Sequence, residues 1–187
     1  MLALIGSVLS GALSIARERE EGTFDQLLVA PYTPREILLG KGISTVITSI
    51  MQTFFIVLVA MFWFRIPFQG SIWLLSGAIL LFIITGAAIG LCISSFSQSL
   101  QQAIVGTFLL VVPTVMLSGF ATPISSMPEF FQDLTLLNPM RYGLELIQRI
   151  FLEGAGFMDL WPLFGAITLV TIGTAAAAIF SFHRKIS

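Results

Sequence analysis

The sequence has 187 residues, of which 56% are hydrophobic and only 10% carry charge. Soluble domains carry about 25% charged residues, so this chain lacks the polar surface to face water on all sides, and its mean hydropathy of +0.96 agrees. The net charge of −1 is silent on a nucleic-acid partner and no basic run suggests one, and the lone Cys92 excludes a disulfide or a cysteine-based metal cluster within these residues.

Five apolar segments, 1–16, 43–64, 72–93, 103–120 and 161–182, predict an all-α polytopic transmembrane bundle of about five spanning helices. Crossing about 30 Å of hydrocarbon takes roughly 20 residues. The second, third and fifth segments meet that length, the fourth is a little short, and the first is shorter still. The first segment starts at Met1 with no flanking polar anchor. It reads as the remainder of a cut span, with a naturally short or tilted helix as the alternative. Residues 1–187 are thus expected to be a single transmembrane domain shortened at its N-terminus. No positive n-region or small-residue cleavage motif marks the start as a secretory signal.

After the first segment, Thr23 with Gln26 reads as a capping box opening a short helix over 24–30, stopped by Pro31. Phe24, Leu27 and Leu28 share one face and Asp25 and Gln26 the other, as in an amphipathic helix at a membrane surface. Thr33, Pro34 and Glu36 then supply an N-cap, a proline at N1 and a capping-box acid for the helix that enters the second span. In that span Thr45, Thr48, Ser49, Gln52 and Thr53 follow helical offsets on one face. Such a stripe lines a substrate pathway or bonds to a neighbouring helix, and the spacing leaves both open.

The third span carries Gly86-Ala-Ala-Ile-Gly90, a close-packing motif that serves either within one subunit or as a dimer seam. The fourth has a weaker stripe, Thr107, Thr114 and Ser118, beside a kink expected at Pro113. In 121–160, Ser126 with Glu129 reads as a capping box, and Asn138-Pro139 as an N-cap followed by proline at N1. From there Met140, Leu144, Ile147 and Phe151 recur at helical spacing, opposite Arg141, Glu145, Gln148 and Arg149. The spacing gives two i,i+4 ion pairs, Arg141–Glu145 and Glu145–Arg149, on a helix that dips into or lies along the membrane interface.

Orientation follows the basic loop residues. Arg17, Arg19, Arg35, Lys41, Arg184 and Lys185 fall on one side, and Arg65, Arg141 and Arg149 on the other. The bias predicts a cytoplasmic C-terminus. No span interior holds an ionisable residue, which disfavours a proton-coupled carrier. Gly40-Lys41-Gly42 lacks the earlier glycine and the following Ser or Thr of a phosphate-cradling loop. No catalytic, metal or cofactor motif is present, so no enzyme activity is expected.

The run Arg17-Glu18-Arg19-Glu20-Glu21-Gly22-Thr23, continuing through Leu27, Leu28 and Pro31 to Gly40-Lys41, resembles the region after the second span of bacterial ABC-2 type permeases. Leu117-Ser118-Gly119-Phe120 with Pro123, and Leu137-Asn138-Pro139 with Tyr142, resemble that family's last outer region. The resemblance implies six spans per subunit, two permease subunits around a substrate path, and separate ATPase subunits beneath. It also implies a coupling helix around 20–28 and a second ATPase contact in the loop 94–102. Glu18, Glu20, Glu21, Gly22, Thr23, Leu27, Leu28, Pro31, Gly40 and Lys41 are the expected coupling residues. The acids among them otherwise simply solvate the interface, with Arg17 and Arg19 as positive-inside anchors. Asn138, Pro139 and Tyr142 mark the outer helix. The chain is thus expected to be a permease subunit of an ATP-driven exporter in the bacterial inner membrane. A non-transporting scaffold or degenerate remnant is the alternative. Its expected partners are an ABC ATPase, a second permease and lipid, with a periplasmic adaptor as a further candidate. Relatives carry an extra first span and a large outer domain that these residues lack.

Overall fold

A computed structural model describes residues 1–23, 33–65 and 70–186. Among the described residues the regular structure is helical: α1 (Leu2–Glu20), α2 (Pro34–Phe62), α3 (Ile72–Phe96), α4 (Leu100–Met116), α5 (Glu129–Leu134), α6 (Pro139–Gln148) and α7 (Phe157–Ile186). Short 3-10 turns at Ile124–Ser126 and Thr135–Leu137 and a π-turn at Arg149–Glu153 join the smaller helices. The short helix expected over 24–30, with Gln26 of its cap and the residues Leu27, Leu28 and Pro31, falls outside the described residues.

Among the described residues three helices are long and apolar enough to cross a membrane: Glu36–Phe62, Ile72–Phe96 and Phe157–Phe182. At about 1.5 Å per residue the first reaches roughly 40 Å, more than a hydrocarbon core requires. Of the other two expected spans, α4 is a shorter apolar helix and α1 does not stand among the membrane-crossing candidates. α1 turns charged over its last four residues, Arg17 to Glu20. α4 ends at Met116, four residues before the expected limit. The chain leaves it one turn after Pro113, through Gly119, whose φ of +86° is readily open only to glycine.

The entry to α2 is the one its sequence announces. Glu36 N–H donates to Thr33 Oγ1 at 3.4 Å, and Thr33 N–H donates to Glu36 Oε2 at 2.7 Å, with Pro34 following the cap.

α3 is the axis of the bundle, and α1 lies hard against it. A Cβ on Gly11 would fall 2.9 Å from Ala87 O, and one on Gly90 only 2.9 Å from Gly11 Cα. One on Gly86 would occupy the space of the Ser7 hydroxyl. The GxxxG stretch of α3 therefore packs against α1 of the same chain. Ser94 Oγ completes the seam by accepting the N–H groups of Ile15 and Ala16, each at 3.0 Å. On the other side, the Thr85 and Thr171 hydroxyls meet at 2.6 Å and join α3 to α7. Leu4, Val8, Phe82, Met140, Ile150 and Ile167 fill the largest core cluster around these joints.

Candidate functional site

The described members of the expected coupling set, Glu18, Glu20, Glu21, Gly22, Thr23, Gly40 and Lys41, lie at one charged end of the bundle, where α1 and α3 finish and α2 and α4 begin. Glu18, in the last turn of α1, forms an ion pair with Lys41 of α2, both side chains only a quarter exposed or less. Glu20 Oε2 accepts the N–H of Leu100 at 2.6 Å, an orphan donor at the start of α4. Between them Arg19 Nη1 donates to Ser95 O at 3.0 Å and to Ser97 O at 2.9 Å. Partial burial draws the Arg19 guanidinium down from its ordinary pKa.

Glu21, Gly22 and Thr23 end the helix. Gly22 takes φ +73°, Gly22 N–H donates to Arg19 O at 3.3 Å, and Thr23 N–H donates to Glu18 O at 3.0 Å. This is a Schellman termination, and it explains the glycine physically, since a residue with a Cβ is strained in that left-handed position. Glu21 and Thr23 are exposed. Gly40 is exposed too, and a Cβ there meets no neighbour among the described residues.

A cleft of about 420 Å³ opens between α1 and α2 beside these charges. Arg17, Glu18, Glu21 and Lys41 line its charged part, and Ser10, Ser14, Ser44, Thr45 and Thr48 its hydroxyl part.

The polar stripe of α2 divides. Thr45, Ser49 and Thr53 are at most 5% exposed, whereas Thr48 and Gln52 are exposed. Thr53 Oγ1 donates to Ser49 O at 2.8 Å and Thr48 Oγ1 to Ser44 O at 2.9 Å. The buried Ser49 Oγ has no partner among the described residues. Gln52 lies over α1, where a Cβ on Gly6 would fall 2.8 Å from its Nε2.

At the opposite end Asn138 caps α6, accepting the Met140 N–H on Oδ1 at 3.0 Å. Its Nδ2 donates to Thr114 O at 2.7 Å, tying α6 to the closing turn of α4. Pro139 is buried at the first helical position. Tyr142 donates its hydroxyl to Leu136 O at 2.8 Å. Three local expectations are corrected here. The helix after Ser126 is capped at Pro128 and not at Ser126, because Met127, preceding a proline, is held extended. Of the two ion pairs, Arg149–Glu145 forms at 2.7 Å, whereas Arg141 donates to the Thr135 hydroxyl. The most deeply buried line of α6 and the π-turn after it is Met140, Gly143, Leu146 and Ile150. Gly143 lets Phe82 of α3 press against that helix, so Leu144, Ile147 and Phe151 sit beside the buried line instead of forming it.

Arg19 and Ser94 were missed as ties, because their bonds join residues 76 to 79 positions apart. One local signal was available: Ser99 and Gln102 have capping-box spacing, and Ser99 Oγ does accept the Gln102 N–H at 3.2 Å.

Long apolar helices around a small-residue seam, with the charges confined to the two ends of the bundle, define a polytopic helical membrane protein. The model of the ABC-2 type transporter family matches residues 1–152, and the chain belongs to that family. It is 34% identical over 186 residues to the probable multidrug ABC transporter permease YbhR of Escherichia coli, covering all of this chain and 50% of that protein. It is 34% identical over 188 residues to the inner membrane transport permease YhhJ of Escherichia coli, covering 99% of this chain and 50% of that protein. The linearmycin resistance permease protein LnrN of Bacillus subtilis is 26% identical over 179 residues, covering 96% and 46%. The chain thus spans about half the length of the relatives it matches. No solved structure matches it.

Proposed function

We propose that the chain is the membrane-spanning permease part of an ATP-driven exporter in the bacterial inner membrane. A separate ATPase docks at the charged end, which faces the cytoplasm together with the C-terminus. A second permease subunit completes the substrate path. One observation carries the reading: Glu18, Glu20, Gly22 and Lys41, scattered over 24 positions of sequence, meet at a single end of the bundle through ion pair, helix cap and helix termination.

The docking surface is the exposed Glu21-Gly22-Thr23 turn with the segment that follows it, since Glu18 and Glu20 already have partners within the chain. The substrate path uses the Thr48 and Gln52 side of α2 with Thr45 at the cleft wall, while Ser49 and Thr53 serve packing. A cleft with hydroxyls inside and charges at its mouth suits amphipathic molecules, in keeping with relatives named for multidrug transport and linearmycin resistance.

The test is purification of the full-length protein from membranes together with its ATPase. Glu21→Lys combined with Gly22→Val is expected to release the ATPase and abolish coupled ATP hydrolysis while the permease stays folded. A permease that never associates with an ATPase, or that holds it unchanged in this variant, overturns the assignment.

A further inference from the structure

Arg19 sits in a run of charges that, on a simple helix end, would be solvated anchors. The structure turns it inward. Its guanidinium holds Ser95 O and Ser97 O, at the end of α3 where intrahelical donors run out. The next residue, Glu20, takes the first N–H of α4 at Leu100. Two consecutive side chains of α1 thus grip both ends of the three-residue turn 97–99. Behind them Ser94 Oγ holds the Ile15 and Ala16 N–H groups. The charges also suit their positions, a cation at a helix C-terminus and an anion at a helix N-terminus.

We propose that Arg19 and Glu20 are positioning residues that clamp the turn 97–99 to the end of α1. The end of α1 and the turn 97–99 then move as one body, and a displacement delivered to either reaches α1, α3 and α4 together. This rests on the permease reading above. It goes beyond that reading in giving Arg19 and Glu20 a mechanical role. Water-exposed ion pairs would exchange partners freely. Here the acceptors and donor are backbone groups at helix ends, which cannot swing away without moving the helices.

The test uses the full-length protein with its ATPase in lipid, carrying Cys92→Ala and nitroxide labels on Arg17→Cys and Gln98→Cys, both exposed positions. The unmodified clamp is expected to give one narrow label separation, unchanged on adding ATP with vanadate. Arg19→Gln and Glu20→Ala are each expected to broaden that separation and to lower coupled ATP turnover about tenfold, with the ATPase still bound. Arg19→Lys, which keeps a donor to at least one carbonyl, is expected to recover part of the turnover. Ser99→Asp added to Glu20→Ala supplies α4 with a charged local cap, so thermal stability is expected to return while turnover does not.

An unchanged label separation in both Arg19→Gln and Glu20→Ala overturns the clamp. So does a full return of turnover with Ser99→Asp, which would leave Glu20 as nothing more than a helix cap. An ATPase that fails to bind the unsubstituted protein defeats the permease reading instead, and the label separation still decides the clamp.

Discussion

The α1–α3 seam and the outer face of α2 are both apolar by composition, yet they are built oppositely. The seam is made of Gly11, Gly86, Gly90, Ala12, Ala87 and Ser94, and backbones touch there. The α2 face presents Met51, Phe54 and Phe55, each 64% exposed or more. Within the candidate spans, 44% of the α3 window is buried against 17% of the α2 window. Where the surroundings are as apolar as the protein, hydrophobicity no longer sorts inside from outside. Small residues, which allow close approach, do so instead.

The comparison breaks most readily at Gly90. Gly90→Val puts methyl groups into the α1 backbone and is expected to cost about 3 kcal/mol, read as a large drop in the thermal midpoint in detergent. A Gly90→Val protein as stable as the parent would mean that the seam is not close-packed. Ser94→Ala keeps the small size and removes only the acceptor for Ile15 and Ala16. Here about 1.5 kcal/mol is expected, measurable by the same melt. Glu18→Gln, at the junction of α1 with α2, should cost about 1 kcal/mol. Rising salt is expected to narrow the gap to the parent, and a double-mutant cycle with Lys41→Met isolates the pair.

The smallest effect belongs to the exposed face. Phe55→Ala is expected to stay within about 0.5 kcal/mol of the parent in detergent. A larger loss accompanied by a change in oligomeric state would sharpen the contrast differently, showing that the face of α2 is covered by another subunit.

The sequence disclosed what was local. The Thr33–Glu36 box, the Asn138-Pro139 start of α6 and the three longest helices depend on neighbours within a few positions, and pattern alone finds them. The Gly86–Gly90 spacing announced a close approach but could not name α1 as the partner. The α2 stripe shows a limit of angular reasoning. Thr45, Ser49 and Thr53 are spaced by four, whereas Thr48 and Gln52 each lie three beyond Thr45 and Ser49, about 60° around the helix. That modest rotation separates buried from exposed. The charged end was legible as a motif, not as a geometry: Glu20 and Leu100 are 80 positions apart, and nothing near either names the other.

The meeting of Thr85 and Thr171 has a consequence for proton counting. Each hydroxyl lies within hydrogen-bonding distance of a carbonyl of its own helix, Leu81 O at 2.8 Å and Ile167 O at 2.7 Å, as well as of the other hydroxyl at 2.6 Å. Two hydroxyls bring two protons to three such contacts, so one contact is always without its proton. Two arrangements bond equally well, one with Thr85 donating across the joint and one with Thr171 doing so, and two hydroxyl rotations interconvert them. The joint between α3 and α7 therefore fixes their separation while leaving its own polarity free to reverse.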